Sequence, residues 1–374
     1  MKLKRIYLGA FILLAVTGLA LSVLLRMRVS GAKGKAENES STVRVCYDLE
    51  LADPVHPDLS GKKLPVWLSF DQQGFPYEYQ LSLQTEVCLE RVCKLLKVML
   101  VWDALGHYSR LELPGDDPLT KQNHDPFDSG DYERLDEILK DRESILGTYP
   151  LDFFVRPPAE SYTDEVDGVT AATPQTVRDA VVSGAAYTSW VLWHWVNGEA
   201  ADKLRARTLP YCSADYLNHC LRSDDPRFVQ FALQRLLKDE LYDVRCREAC
   251  FQILEKGGRA NCQLALQYLS AQSLDSDELS VRLIALIGIN AGSSRLILDW
   301  FENLPDLPPA LWVQMAAHLE QVNAYYDVNA VLNLLERRAG DSERVGLEVG
   351  KLLQSENRFI VRRAQVFLGK QEER

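Results

Sequence analysis

Four kinds of hydrophobic pattern follow one another along the chain. Residues 6–25, IYLGAFILLAVTGLALSVLL, are an uninterrupted apolar run without a charge. That is long enough to cross a bilayer as a helix. Between residues 43 and 115 apolar and polar positions alternate, the period of a half-buried strand. LPVWLSFDQQGFPYEYQLSL has two such runs around Gln72-Gln73-Gly74, and KLLKVMLVWDALGHYSRLEL has two more around Asp103–Gly106. Each pair reads as a hairpin, so a sheet of about four strands is expected. From residue 118 the period becomes helical. Asp128 or Ser129 can cap a helix whose face carries Leu135, Ile138 and Leu139. Residues 180–198 read as a buried helix packed on the sheet, stopping at Asn197-Gly198. After Tyr211 no strand is evident, and short amphipathic segments recur to the end.

This pattern gives a signal anchor over 1–28, a linker over 29–42, an α+β domain over 43–207 with an antiparallel sheet and packed helices, and an all-α, solenoid-like domain over 208–374. Comparable helices return every 30–35 residues or so, a spacing that fits stacked helix pairs. In period and pattern this last part resembles HEAT-type repeats.

Charge sharpens the picture. The formal net charge is −11, yet residues 1–35 hold seven Lys or Arg and no acid, which leaves −18 for the rest. A body this acidic repels phosphate backbones, so nucleic acid is set aside. The basic flanks of the apolar run nearly cancel and orient it poorly. Cys88 and Cys93 stand five apart. They suit a disulfide in an oxidising compartment, and equally two buried thiols. Cys212, His219, Cys220, Cys246 and Cys250 hint at zinc, but no CxxC pair is present, and no metal site is expected. His124, Asp125, Asp128 and Asp131 read as an acidic helix start rather than a cation site. His194, among Trp190, Trp193 and Trp195, reads as a core histidine.

The stretch DGVTAATPQTV, 167–177, carries the sharpest chemical signal. Thr173-Pro174 is a good helix start, a capping hydroxyl followed by a residue favoured at the first helical position. Asp167-Gly168 makes a turn, and Ala171 and Ala172 leave room for a bulky group. Asp167, Thr170, Ala172 and Thr173 match the order Asp, two residues, Ser or Thr, usually Gly, Ala, Thr. In this the chain resembles the FMN-binding domains of the sodium-pumping NADH:quinone reductase, the RNF complex and the nitrous-oxide regulator NosR. The resemblance implies FMN joined through its phosphate to Thr173. It also implies recognition of Asp167, Thr170 and Ala172 by a flavin transferase acting outside the cytoplasm. Ala171 stands where the family usually has glycine, and two readings follow. One is an electron carrier tethered to a bacterial inner membrane by a single span, its body on the periplasmic side. The other is a flavin-free scaffold that binds protein through its helical repeats. No dinucleotide fingerprint and no nucleophile–base set points to an enzyme with its own substrate.

Overall fold

The structure, a computed structural model, describes residues 36–39, 42–52, 54, 62–85, 96–115, 117–122, 124–155, 174–272, 276–305, 307–340 and 342–372. The apolar run 6–25 lies outside the described residues. Among those described, no helix is long and apolar enough to cross a membrane. The chain divides between Pro210 and Tyr211 into two compact units, an α+β unit followed by an all-α unit.

Among the described residues the first unit holds one antiparallel sheet of six strands in chain order: β1 (Ala36–Glu39), β2 (Thr42–Leu51), β3 (Lys62–Phe70), β4 (Pro76–Thr85), β5 (Leu96–Asp103) and β6 (Tyr108–Glu112). Four strands were expected. The linker expected over 29–42 also needs correction, because β1 lies inside it and pairs with Thr42–Val45 of β2. AENE has no alternation that announces a strand. Its extended form comes from the neighbouring backbone, a tertiary effect that propensity does not carry.

Both hairpin turns fall where the alternation breaks, and each needs a glycine in the left-handed region: Gly74 at φ 78° and Gly106 at φ 75°. Alternation also sorts the two faces. Leu68, Tyr79 and Trp102 lie side by side across β3, β4 and β5, and so do Val66, Leu81 and Leu100; all six are buried.

Five α-helices follow among the described residues of this unit: α1 (Ser129–Lys140), α2 (Leu151–Val155), α3 (Pro174–Asp179), α4 (Ala186–Asn197) and α5 (Glu199–Thr208). Asp128 caps α1, and Leu135, Ile138 and Leu139 are its buried face. The helix expected over 180–198 is shorter at its start. Gly184, at φ 73°, breaks the chain, and α4 begins only at Ala186. Polar groups tie α4 and α5 to the sheet: Trp102 Nε1 donates to the Val196 carbonyl at 2.9 Å, and the Tyr79 and Thr208 hydroxyls meet at 2.9 Å.

The second unit is ten α-helices among the described residues: α6 (Ala214–Leu221), α7 (Pro226–Lys238), α8 (Val244–Lys256), α9 (Arg259–Ala271), α10 (Ser276–Leu286), α11 (Ala291–Asn303), α12 (Pro309–His318), α13 (Tyr325–Arg338), α14 (Glu343–Gly350) and α15 (Arg358–Glu372). Consecutive helices form hairpins. Helices two apart also pack, α7 on α9, α9 on α11, α11 on α13 and α13 on α15, with α6 on α8, α10 on α12 and α12 on α14. The result is two layers of helices. Each amphipathic helix buries its stripe against the next hairpin, which no hairpin could do alone.

Candidate functional site

Asp167, Thr170, Ala172 and Thr173 lie outside the described residues, and so do Cys88 and Cys93. What the structure describes is the chain on either side of the candidate attachment segment. The chain leaves the described residues after α2 and re-enters them at Pro174, the first residue of α3. A helix therefore opens directly after Thr173, where the Thr-Pro pair places it.

Both flanks are fixed to the body. Arg134 of α1 holds the carbonyl of Asp179, the last residue of α3. Gln122 N donates to the Gly184 carbonyl at 2.7 Å, and Val182 N donates to Ser189 Oγ at 3.0 Å. On the other flank, Trp190 Nε1 donates to the Tyr149 carbonyl at 3.0 Å, just before α2. Tyr149 and Phe153 stack with centroids 4.3 Å apart. Helix α4 thus meets the described chain on both flanks, Ser189 at Val182 and Trp190 at Tyr149. His194 lies on the same helix. Its Nδ1 donates to the Trp190 carbonyl at 2.9 Å, and its ring lies 3.8 Å from the Trp190 ring. Burial pushes its pKa below the ordinary histidine value, so it is neutral at pH 7, a satisfied core residue rather than a base.

One cluster was not anticipated from the sequence. Asp103 Oδ1 accepts from the amides of Leu105 at 2.8 Å and His107 at 2.9 Å, and Oδ2 lies 3.1 Å from His107 Nδ1. Arg205 of α5 donates to His107 Nε2 at 3.2 Å and to the Leu105 carbonyl at 3.1 Å. A guanidinium only donates, so the bonding assigns the proton to Nδ1. The Asp–His pair has the outline of a catalytic dyad, but its second ring nitrogen, Nε2, is taken up by Arg205. It fastens the β5–β6 turn to α5.

The remaining candidates resolve as structure. Asp128 and Asp131 accept from each other's backbone N–H at the start of α1, and Lys121 Nζ sits 2.8 Å from Asp131. That capping box uses the carboxylates considered for a cation. Burial pushes the thiol pKa of Cys212 and Cys246 up to about 11 and that of Cys220 to about 12, and raises Cys250 as well. Among the described residues no three His, Cys, Asp or Glu side chains gather as a metal site. No known protein family, curated protein or solved structure matches this chain.

Proposed function

We propose that this protein is a membrane-anchored, extracytoplasmic flavoprotein with FMN attached covalently to Thr173. The observation that carries the reading is the motif Asp167-x-x-Thr170-Ala171-Ala172-Thr173, ending one residue before α3 begins at Pro174. The residues suit the group in kind. Thr173 supplies the hydroxyl for a phosphodiester, and small neighbours leave the approach open. Asp167, Thr170 and Ala172 serve as recognition sequence for the transferase. Bound there, the flavin supplies reversible electron transfer; the protein holds and orients it. The span 6–25 tethers the body to the inner membrane on its periplasmic side. The stacked hairpins, in this reading a HEAT-type solenoid, offer a surface for redox partners.

Intact mass tests the proposal directly. Protein made in a host with the flavin transferase should gain an FMN-sized increment on Thr173, and Thr173→Ala should abolish it. A preparation that stays unmodified beside a labelled positive control rejects it.

A flavin-free scaffold is the second reading. It draws support from the exposed aromatics of the all-α unit: Tyr326 is 85 % exposed and Phe359 72 %. Thr173→Ala that keeps partner capture and physiological activity favours the scaffold.

A further inference from the structure

Two neighbouring helices of the all-α unit open on an exposed ring. The second residue of α7, α9 and α11 is Arg227, Ala260 and Gly292; in α13 and α15 it is Tyr326 and Phe359. Both of these side chains are exposed. Tyr325 stands edge-on to each, with its ring centroid 6.0 Å from Tyr326 and 6.0 Å from Phe359. The three rings form one ledge across α13 and α15.

Along α15 the ledge continues as a stripe. Ile360, Ala364 and Phe367 are buried, while Phe359, Arg362, Val366 and Gly369 follow one another on the exposed side at helical spacing. At 1.5 Å per residue the stripe is about 15 Å long. A Cβ on Gly369 would meet no atom within 4 Å, so that end of the stripe lies open. Its charge is distinctive as well. Helix α15 carries four Arg or Lys and one Glu, in a chain whose formal net charge is −11. Arg363 and Lys370 turn to Glu336 of α13, at 2.9 Å and 3.0 Å. Arg358 and Arg362 are exposed and make no ion pair among the described residues. On α13, Glu302 holds Arg337, and the carbonyls of Glu302 and Pro305 hold Arg338. The unpaired cations of these two helices therefore follow a line one helix wide, bordered by rings.

We infer that the ledge and stripe of α13 and α15 dock an acidic, amphipathic helix of a partner protein. Asp or Glu of that helix stands against Arg358 and Arg362, its apolar side chains pack on Tyr326, Phe359 and Val366, and its closest approach is at Gly369. Helix interiors offer no unpaired main-chain groups, so an extended segment gains no ladder here; a segment whose backbone is bonded within itself fits. A second copy of this chain, seated stripe to stripe, would bring Arg362 toward Arg362 with no acid between. An anionic bilayer calls for a broad cluster of cations rather than a line. The inference rests on the reading of the stacked hairpins as a partner surface, and not on the flavin.

The test uses the full chain in phosphatidylcholine nanodiscs, made without the flavin transferase so that its outcome is separate from the mass test on Thr173. The probe is a fluorescein-labelled helical peptide of about four turns, with Leu on one face and Glu on both flanks, read by fluorescence anisotropy. Saturable binding is expected, and salt should weaken it. Phe359→Ala should weaken it about tenfold, with little change in melting temperature because the ring is exposed. Arg358→Glu with Arg362→Glu should abolish it and should instead bind the same peptide carrying Lys in place of Glu. The proposal is overturned by no saturable binding of the Glu peptide, by equal binding of a scrambled peptide of the same charge, or by equal binding to the double variant. A concentration-dependent dimer that Phe359→Ala dissolves also overturns it, as does capture of phosphatidylglycerol vesicles, lost in the double variant, by a protein that leaves the peptide unbound.

Discussion

At the scale of single residues, the tightest constraints sit where the chain turns against α5. Gly106 has φ 75°, and a Cβ placed there would run into the Ala201 carbonyl oxygen. Gly106→Ala meets both backbone strain and a clash with main chain that has no side chain to move. A loss of about 2–4 kcal/mol is expected in thermal or denaturant unfolding. The buried thiols make a second residue-scale prediction. Since burial raises the thiol pKa of Cys220 to about 12, almost none of it is thiolate at pH 8. Iodoacetamide should leave Cys220, Cys246 and Cys250 unmodified in the folded protein. In guanidinium chloride their ordinary pKa returns, and all three should label.

At the scale of elements, caps and side-chain anchors set where helices begin. Asp128→Ala removes the acceptor for Asp131 N and breaks the capping box of α1, at a cost of about 1 kcal/mol. Asn290 does more. Its Oδ1 accepts from Gly292 N at 2.9 Å to cap α11, while its Nδ2 donates to the Gly257 carbonyl at 3.0 Å and the Leu254 carbonyl at 3.2 Å. One side chain caps its own helix and satisfies the end of α8 one repeat earlier. Asn290→Ala leaves these groups short of partners and should cost about 2–3 kcal/mol. Asn290→Asp keeps the cap but loses the donor, so it should recover only part of the loss. Chemical denaturation of the three proteins orders them.

At the scale of the whole molecule, the all-α unit is held by contacts that repeat with the hairpins. Asp215 pairs with Arg245 at 2.7 Å, Glu248 with Arg282 at 2.7 Å, Glu302 with Arg337 at 2.6 Å and Glu336 with Arg363 at 2.9 Å. Each joins helices of neighbouring hairpins. Most are exposed enough that each contributes little singly. Glu336 is the more enclosed case. Burial raises its pKa, but Lys370 and Arg363 outweigh burial and hold it below the ordinary glutamate value. A depressed carboxylate gives stability above its unfolded pKa and loses it as pH falls through the folded one. The unfolding free energy should therefore decline as the pH is lowered from about 5. Glu336→Gln should flatten that decline in guanidinium titrations at pH 7, 5 and 4. An equal slope in the variant would assign the pH dependence to other carboxylates.

Local period and turn chemistry settled much of this protein in the sequence itself. Alternation put Leu68, Tyr79, Leu81 and Trp102 on one buried face, glycine marked both hairpin turns, and Asp128 or Ser129 marked the start of α1, which Asp128 caps. Pro174 opens α3, where a proline favoured in the first helical turn marks a start within a few residues. The proposed attachment motif, Asp167 to Thr173, is likewise a matter of adjacent residues. Other features join residues far apart, and no local pattern encodes them. β1 is a strand only because β2 lies beside it, and α4 starts late because Gly184 turns where loop and helix meet. The Asp103–His107 turn finds Arg205, and Asn290 finds Gly257. Periodicity says which side of an element is buried. Only the packed chain decides what it is buried against, since that depends on which distant backbone and side-chain groups arrive to satisfy it.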